Sequence, residues 1–253
     1  MVGKDEIDRS SFGLWELSVD TWAGFLFVSF ASEPEPLLDF LAAEPESPLP
    51  FARFGPLEEL RVGHRTVVDV EANWKVHVDN YNECLHCPTV HPELVAIVPA
   101  YRRGDVVEAD RPDGSVAIAG GGTSFTRSGR SALPVMPGFD GDEATSIFSA
   151  CIFPNMFLDI SGTSTVATCL LPRGPERTTV ITEYLFRPEA LDDTEAVAEI
   201  VEFNELVNTQ DFAVCERVQR GVRSRAFDHG FFAARDELPL AFKRRYLEAR
   251  GPV

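Results

Sequence analysis

Apolar and polar positions change their period repeatedly along the chain, and each change marks a different kind of element. From Leu14 to Phe30 the run LWELSVDTWAGFLFVSF alternates and then turns strongly apolar around Gly24, which predicts two strands. A short helix is expected over Leu37–Ala43, opened after Pro36 and closed by a run containing Pro45, Pro48 and Pro50. That proline-rich run is the expected boundary between residues 1–50 and 51–253. Leu60–Val70 is rich in β-formers and leads into Asn73–Leu94, NWKVHVDNYNECLHCPTVHPEL, where the period becomes helical. Trp74, Val78, Tyr81 and Leu85 fall on one face of that helix, with Asp79, Glu83 and His86 opposite. Pro88 then interrupts the pattern, so His91 is expected to enter from a new backbone direction.

Asp105–Ala119 reads as a hairpin that turns at Pro112, Asp113 and Gly114. Gly120–Ala144 holds too many Gly, Pro and Ser residues for regular structure, and a loop of that length is usually functional or mobile. It is not a phosphate loop, because no Gly-Lys-Ser/Thr follows its glycines. Strands are expected at Ser146–Phe153, Met156–Ile160, Thr165–Leu171 and Thr178–Phe186, the last two antiparallel across the turn signal Pro172–Glu176. From Leu191 to Arg220 the helical period returns, with Ile200, Phe203, Val207, Val214 and Val218 on one face. Asp211 lies within that apolar face. A lone buried carboxylate costs several kcal/mol unless it is paired or holds a metal. A core arginine, or a small rotation of the helix, would also account for it. A last amphipathic helix is expected over Asp236–Arg250.

Composition narrows the partners. With 253 residues, 44% of them hydrophobic, the chain can bury a sizeable core. Forty acids against 23 bases give a net charge of -17, which argues against nucleic acid or an anionic membrane surface. The start, MVGKDEIDRSSFG, lacks the layout of a secretory signal, and no stretch approaches the length of a membrane span, so a cytoplasmic location is expected. The five cysteines, Cys84, Cys87, Cys151, Cys169 and Cys215, are an odd count in mixed contexts and are expected as reduced thiols.

Candidate chemistry centres on two histidines beside a helix break, His86 and His91, and on Asp211. Together they form the inventory of a 2-His-1-carboxylate facial triad, which suits non-haem Fe(II) in oxygen chemistry. Structural zinc is a competing reading, because Cys84 and Cys87 form C-x-x-C beside these histidines. Against it, Cys84 projects from a different side of the helix than His86, and no second Cys or His pair follows at finger spacing. Taken alone, the stretch would also suit a solvated helix face.

NWKVHVDNYNECLHCPTVHPEL resembles the N-W-K-x-x-x-(D/E)-N-x-x-(D/E)-x-x-H-x-x-x-x-H segment of the catalytic α subunits of Rieske non-haem iron oxygenases, the ring-hydroxylating oxygenase family. NTQDFAVCERVQRG resembles the family's later segment that supplies the third iron ligand, and WAGFLFVSF resembles the segment that closes its Rieske domain. The resemblance implies that His86, His91 and Asp211 hold a mononuclear Fe(II). It makes Glu83 the acid that passes electrons from a neighbouring subunit's Rieske cluster, and places Asn80 near the iron. The implied fold is α+β: a helix-grip, START-like (SRPBCC) domain with a curved antiparallel sheet, a long C-terminal helix and a pocket between them. Residues 1–50 would hold residual strands of a Rieske domain.

The implied activity is hydroxylation of an aromatic ring, or of an N-methyl or related C–H bond, with Fe(II) and O2. The implied partners are a small organic substrate, a [2Fe–2S] donor and an NADH-dependent reductase or ferredoxin, in a homotrimer. Members whose motif runs N-x-x-E-C-x-H-C-P-x-V-H-P resemble this chain most, and some act on quaternary ammonium compounds. Cys84-Leu85-His86 has the C-x-H half of a cluster motif, but no C-x-x-H completes it, so the [2Fe–2S] ligands are expected elsewhere. The alternative is a START-like small-molecule-binding protein that performs no chemistry, or a truncated chain without independent catalysis.

Overall fold

Alternating strands build two antiparallel sheets in the computed structural model, which describes residues 12–108, 111 and 113–251. The first sheet is the hairpin β1 (Ser18–Trp22) and β2 (Phe25–Ser29), as the pattern around Gly24 predicts. Its two-residue turn has positive φ at both Ala23 and Gly24 (52° and 84°), the geometry whose twist suits a tight hairpin. One face, with Trp22, Phe25 and Phe27, packs into a core shared with Leu41 of α1 (Leu37–Ala42). Val19, Leu26 and Val28 on the other face are exposed.

The rest of the chain runs β3 (Arg61–Val70), α2 (Trp74–Tyr81), α3 (Cys87–Val90), α4 (Leu94–Ile97), α5 (Pro99–Arg102), β4 (Val116–Ala117), β5 (Ser146–Ile152), β6 (Met156–Ser161), β7 (Thr165–Gly174), β8 (Arg177–Phe186), α6 (Thr194–Val222) and α7 (Glu237–Arg250). Its six strands form one antiparallel sheet in the order β3-β8-β7-β6-β5-β4. This is the expected α+β arrangement, an antiparallel sheet with a long helix.

Strand periodicity sorts the sheet's side chains. Phe148, Ala150, Ile152, Leu158, Ile160 and Ala167 join the core beneath the hairpin, with Phe51, Phe54 and Leu57. The residues between them, Ser149, Phe157, Asp159, Val166 and Thr168, line a cavity on the side of α6. Val78 of α2, Cys215 of α6 and Phe242 of α7 share a second core with Phe157, Leu170 and Val180 on that side.

Four expectations need correction. The helix after Asn73 ends at Tyr81 rather than at Pro88, and Leu85 is exposed instead of completing an apolar stripe. Pro88 instead sits in the first turn of α3, where its missing N–H costs no hydrogen bond. On α6, Val218 faces out while Cys215 and Gln219 are buried. The far half of that helix meets the start of α2, where Gln219 Oε1 accepts from the Asn73 N–H at 2.9 Å, so its inward side is rotated. Cys84 and Cys87 are not reduced thiols but a disulfide, because the C-x-x-C step into α3 brings their Cα atoms to 5.0 Å, within bridging range. Cys151, Cys169 and Cys215 are free.

The expected hairpin at 105–119 lies partly outside the described residues, which leave out Pro112, as they do residues 1–11. Its described strand β4 pairs with β5, and across the expected turn the Glu108 N–H donates to Ser115 O at 3.5 Å. Gly120–Ala144 is irregular yet packed: Leu133, Met136 and Phe139 are buried, and the Met136 N–H donates to Gly162 O at 2.6 Å. Among the described residues no helix is long and apolar enough to cross a membrane.

Candidate metal centre and its cavity

Asn73 starts the stretch that carries the site: its side-chain oxygen accepts from the Lys75 N–H at 3.0 Å and caps α2. Asn80 and Tyr81 end that helix, and α3 then presents His86 at its N-cap and His91 at its C-cap. One short turn of helix therefore carries both imidazoles, whose ring centroids lie 5.2 Å apart. From across the cavity α6 supplies Asp211, whose Oδ1 is 2.9 Å from His91 Nε2 and 3.4 Å from His86 Nε2. Asn80 Nδ2 donates to the same oxygen at 2.8 Å. The structure thus brings His86, His91, Asp211, Asn80 and Glu83 together.

The second nitrogen of each ring is also held. His86 Nδ1 meets Glu83 Oε1 at 2.6 Å, and His91 Nδ1 meets Gln210 Oε1 at 2.7 Å. Neither acceptor carries a proton to give, so each Nδ1 donates, and each Nε2 faces Asp211, donating to its carboxylate when protonated and offering a metal its lone pair when not. Gln210 is fixed in turn by donating from Nε2 to Glu93 Oε2 at 3.1 Å. Two Nε2 atoms and one carboxylate oxygen, with acceptors behind both rings, fit a divalent metal whose ligands are oriented from outside.

Cys87 Sγ also lies close, within 4.8 Å of ligand atoms of both histidines. Its bond to Cys84 removes it as a thiolate ligand, which leaves oxygen from Asp211 as the third donor.

Electrostatics keep the cluster polar despite burial. Burial alone would raise the Asp211 carboxyl, but hydrogen bonds from His86 and His91 pull it down to about 2. Burial likewise opposes a charge on His86, yet the hydrogen bonds and charges of Asp211 and Glu83 prevail and raise it to about 9. An imidazolium between two carboxylates stands where a metal cation would satisfy the same charges, and metal binding there releases a proton.

His77 is a cavity residue that the sequence reading passed over. It is buried on α2 with Nε2 unpartnered and its ring edge-on to Phe212, and burial drops its pKa to about 4 against the pull of Asp211. Its position three residues before Asn80 was the available signal. Gln210, Asp159 and Glu46 were missed as well, and nothing in their local pattern distinguishes them. The cavity has a volume of about 180 Å³. Aromatic rings wall it, with Tyr81 stacked on Phe157 at 4.0 Å and Phe125 contributed by the 120–144 segment.

Residues 57–250 match the family described as ring hydroxylating alpha subunit (catalytic domain). The glycine betaine monooxygenase oxygenase subunit of Chromohalobacter salexigens is 26% identical over 258 residues, covering 89% of this chain and 57% of that protein. The chloroplastic choline monooxygenase of Arabidopsis thaliana is 27% identical over 241 residues, covering 92% and 54%. The chain thus spans a little over half the length of these relatives. A solved quaternary ammonium Rieske monooxygenase, reported with insights into carnitine oxidation and inter-subunit electron transfer, superposes with a TM-score of 0.67 at 20% identity. That match covers 91% of this chain and 61% of the other, and it speaks for the fold. With the catalytic-domain match running from before β3 to the end of α7, the chain belongs to the ring-hydroxylating, Rieske-type oxygenase α-subunit family.

Proposed function

We propose that this chain is the catalytic portion of a Rieske-type oxygenase that hydroxylates an aromatic ring, or an N-methyl or related C–H bond, of a small organic substrate. The observation that carries the reading is the convergence of His86 Nε2, His91 Nε2 and Asp211 Oδ1 at a cavity wall, with both Nδ1 atoms already engaged. In this reading these three residues hold a mononuclear Fe(II), and the iron supplies O2 activation beside the substrate. Asn80 orients Asp211 by its 2.8 Å hydrogen bond.

Glu83 is the electron-relay residue. It touches the imidazole of His86, and its side chain retains 25% exposure, so it spans the distance from a ligand to the surface. The donor is a Rieske [2Fe–2S] cluster in a neighbouring subunit of a homotrimer, reduced from NADH through a reductase or ferredoxin, in the cytoplasm. Residues 1–50 form the end of a Rieske domain plus linker and residues 51–253 the iron domain. The separate β1–β2 sheet supports that division.

Anaerobic reconstitution with Fe(II), followed by iron analysis, tests the ligand set. Wild type should hold one iron per chain, and His86→Ala and Asp211→Ala should lose it while remaining folded. Full iron occupancy in both variants refutes the assignment. Glu83→Gln should keep its iron but lose turnover when a cluster-bearing donor is supplied.

A further inference from the structure

Two carboxylates in the cavity have no role at the metal centre. Asp159 projects from the cavity face of β6, where Tyr81 Oη and Ser149 Oγ both donate to its Oδ1, at 2.8 and 2.6 Å. Glu46, from the proline-rich segment, lines the same cavity near enough to feel the charge of Asp159. Its neighbour Glu44 is paired with Arg245 at 2.9 Å, whereas no ion pair satisfies Glu46 or Asp159 among the described residues. Nor does any lysine or arginine line the cavity among the described residues.

An acid pair without a counter-charge is costly inside a protein. Burial pushes Glu46 up to about 7 and Asp159 up to about 6, so the pair stands at the edge of ionisation near neutral pH. An organic cation in the cavity would supply the missing charge. Aromatic side chains line the same cavity, Tyr101 and the stacked pair Tyr81 and Phe157 among them, and such rings suit an organic cation. A substrate carboxylate placed at this end of the cavity would find the reverse: no lysine or arginine to receive it among the described residues and two acids to repel it.

We infer that Asp159, seconded by Glu46, is a specificity determinant of this cavity and selects a compact organic cation that bears no carboxylate of its own. The inference deepens the oxygenase reading of the same cavity and rests on it for the claim that the bound cation is a substrate. It also separates this chain by chemistry from relatives named for glycine betaine and carnitine, whose ligands are zwitterions.

Isothermal titration of the iron-loaded chain, without reductant so that nothing turns over, provides the test. The probes are choline, its uncharged isostere 3,3-dimethylbutan-1-ol, and glycine betaine. Choline should bind at least about tenfold more tightly than either comparator, the scale of a desolvated cation–π contact with a facing charge. Asp159→Asn, which can still accept from Tyr81 and Ser149, should bring choline down to the level of the isostere and leave the isostere unchanged. Glu46→Gln should narrow the preference in the same direction. Absent choline binding, equal affinity for choline and isostere, tight betaine binding, or an undiminished preference in both variants overturns the inference. Iron content of the same samples keeps the two readings apart. Iron held without a choline preference sinks the cation site alone, and a preference without iron sinks the oxygenase reading alone.

Discussion

Replacing Gln210 by leucine isolates the support of one imidazole of the candidate metal centre without touching a proposed ligand. His91 is 1% exposed, and its Nδ1–H has Gln210 Oε1, 2.7 Å away, as its acceptor. Leucine fills a similar volume and offers no acceptor, so a buried N–H is left unsatisfied at a cost of about 1–3 kcal/mol. For a domain of this size that corresponds to a fall in Tm of roughly 2–12 °C. The ring also becomes free to rotate or change tautomer, which typically weakens metal binding about 10–100-fold. Anaerobic Fe(II) titration against a chromophoric chelator reads the affinity, and calorimetric unfolding reads the stability. The control is the swapped pair, Gln210→Glu with Glu93→Gln, which preserves an acceptor for His91 and a donor–acceptor contact between positions 210 and 93. It should recover most of the iron affinity. Wild-type affinity in the leucine variant, or equal losses in the leucine variant and the swapped pair, would refute the reasoning.

Two further outcomes concern pH. Choline affinity should rise between about pH 5 and pH 8, because burial holds Asp159 at about 6 and Glu46 at about 7 and the cation needs their ionised forms. Tyr81, Tyr101 and Cys151 beside them are pushed upward by burial and remain neutral over that range, and Glu44, which burial raises to about 7, pairs with Arg245 and does not line the cavity, so a flat profile would show that neither carboxylate meets the ligand. Arg245→Met should destabilise the fold by about 1–3 kcal/mol near pH 8, since it leaves Glu44 buried and unpaired. Burial already raises Glu44 to about 7 against the pull of Arg245, so the folded form binds the extra proton and the stability deficit should shrink as pH falls below 7. Urea unfolding of both proteins at pH 6 and 8 measures this, and a deficit independent of pH would contradict it.

The residues of the candidate metal centre were legible because their anomalies are local in sequence. Asp211 breaks an apolar helical stripe, and His86 and His91 are close enough to need only one short turn between them. The strands were legible for a similar reason, since alternation survives whatever the sheet packs against. The end of α2 was not: the apolar period continues through Leu85, and only the fold shows the helix stopping at Tyr81 so that α3 can carry both imidazoles. Asp159 was hidden by its own strand, where a polar residue between Leu158 and Ile160 looks like an ordinary outward position. Only the placement of α6 over that face of the sheet makes it an inward one. Glu46 and Gln210 likewise become meaningful through partners far away in the chain.

Asp211 Oδ1 gathers Asn80, His86 and His91 from a single point midway along an unbroken 29-residue helix. That placement sets the tolerance of the chain to length changes. One residue inserted into α6 between Thr194 and Gln210 would turn the carboxylate by about 100° relative to the upstream half of the helix and advance it by about 1.5 Å. The same insertion in the exposed segment between α6 and α7 would leave that point where it is. Homologous chains sharing this centre should therefore vary in length after Val222 and keep a fixed count from Asp193, the cap of α6, to the acid.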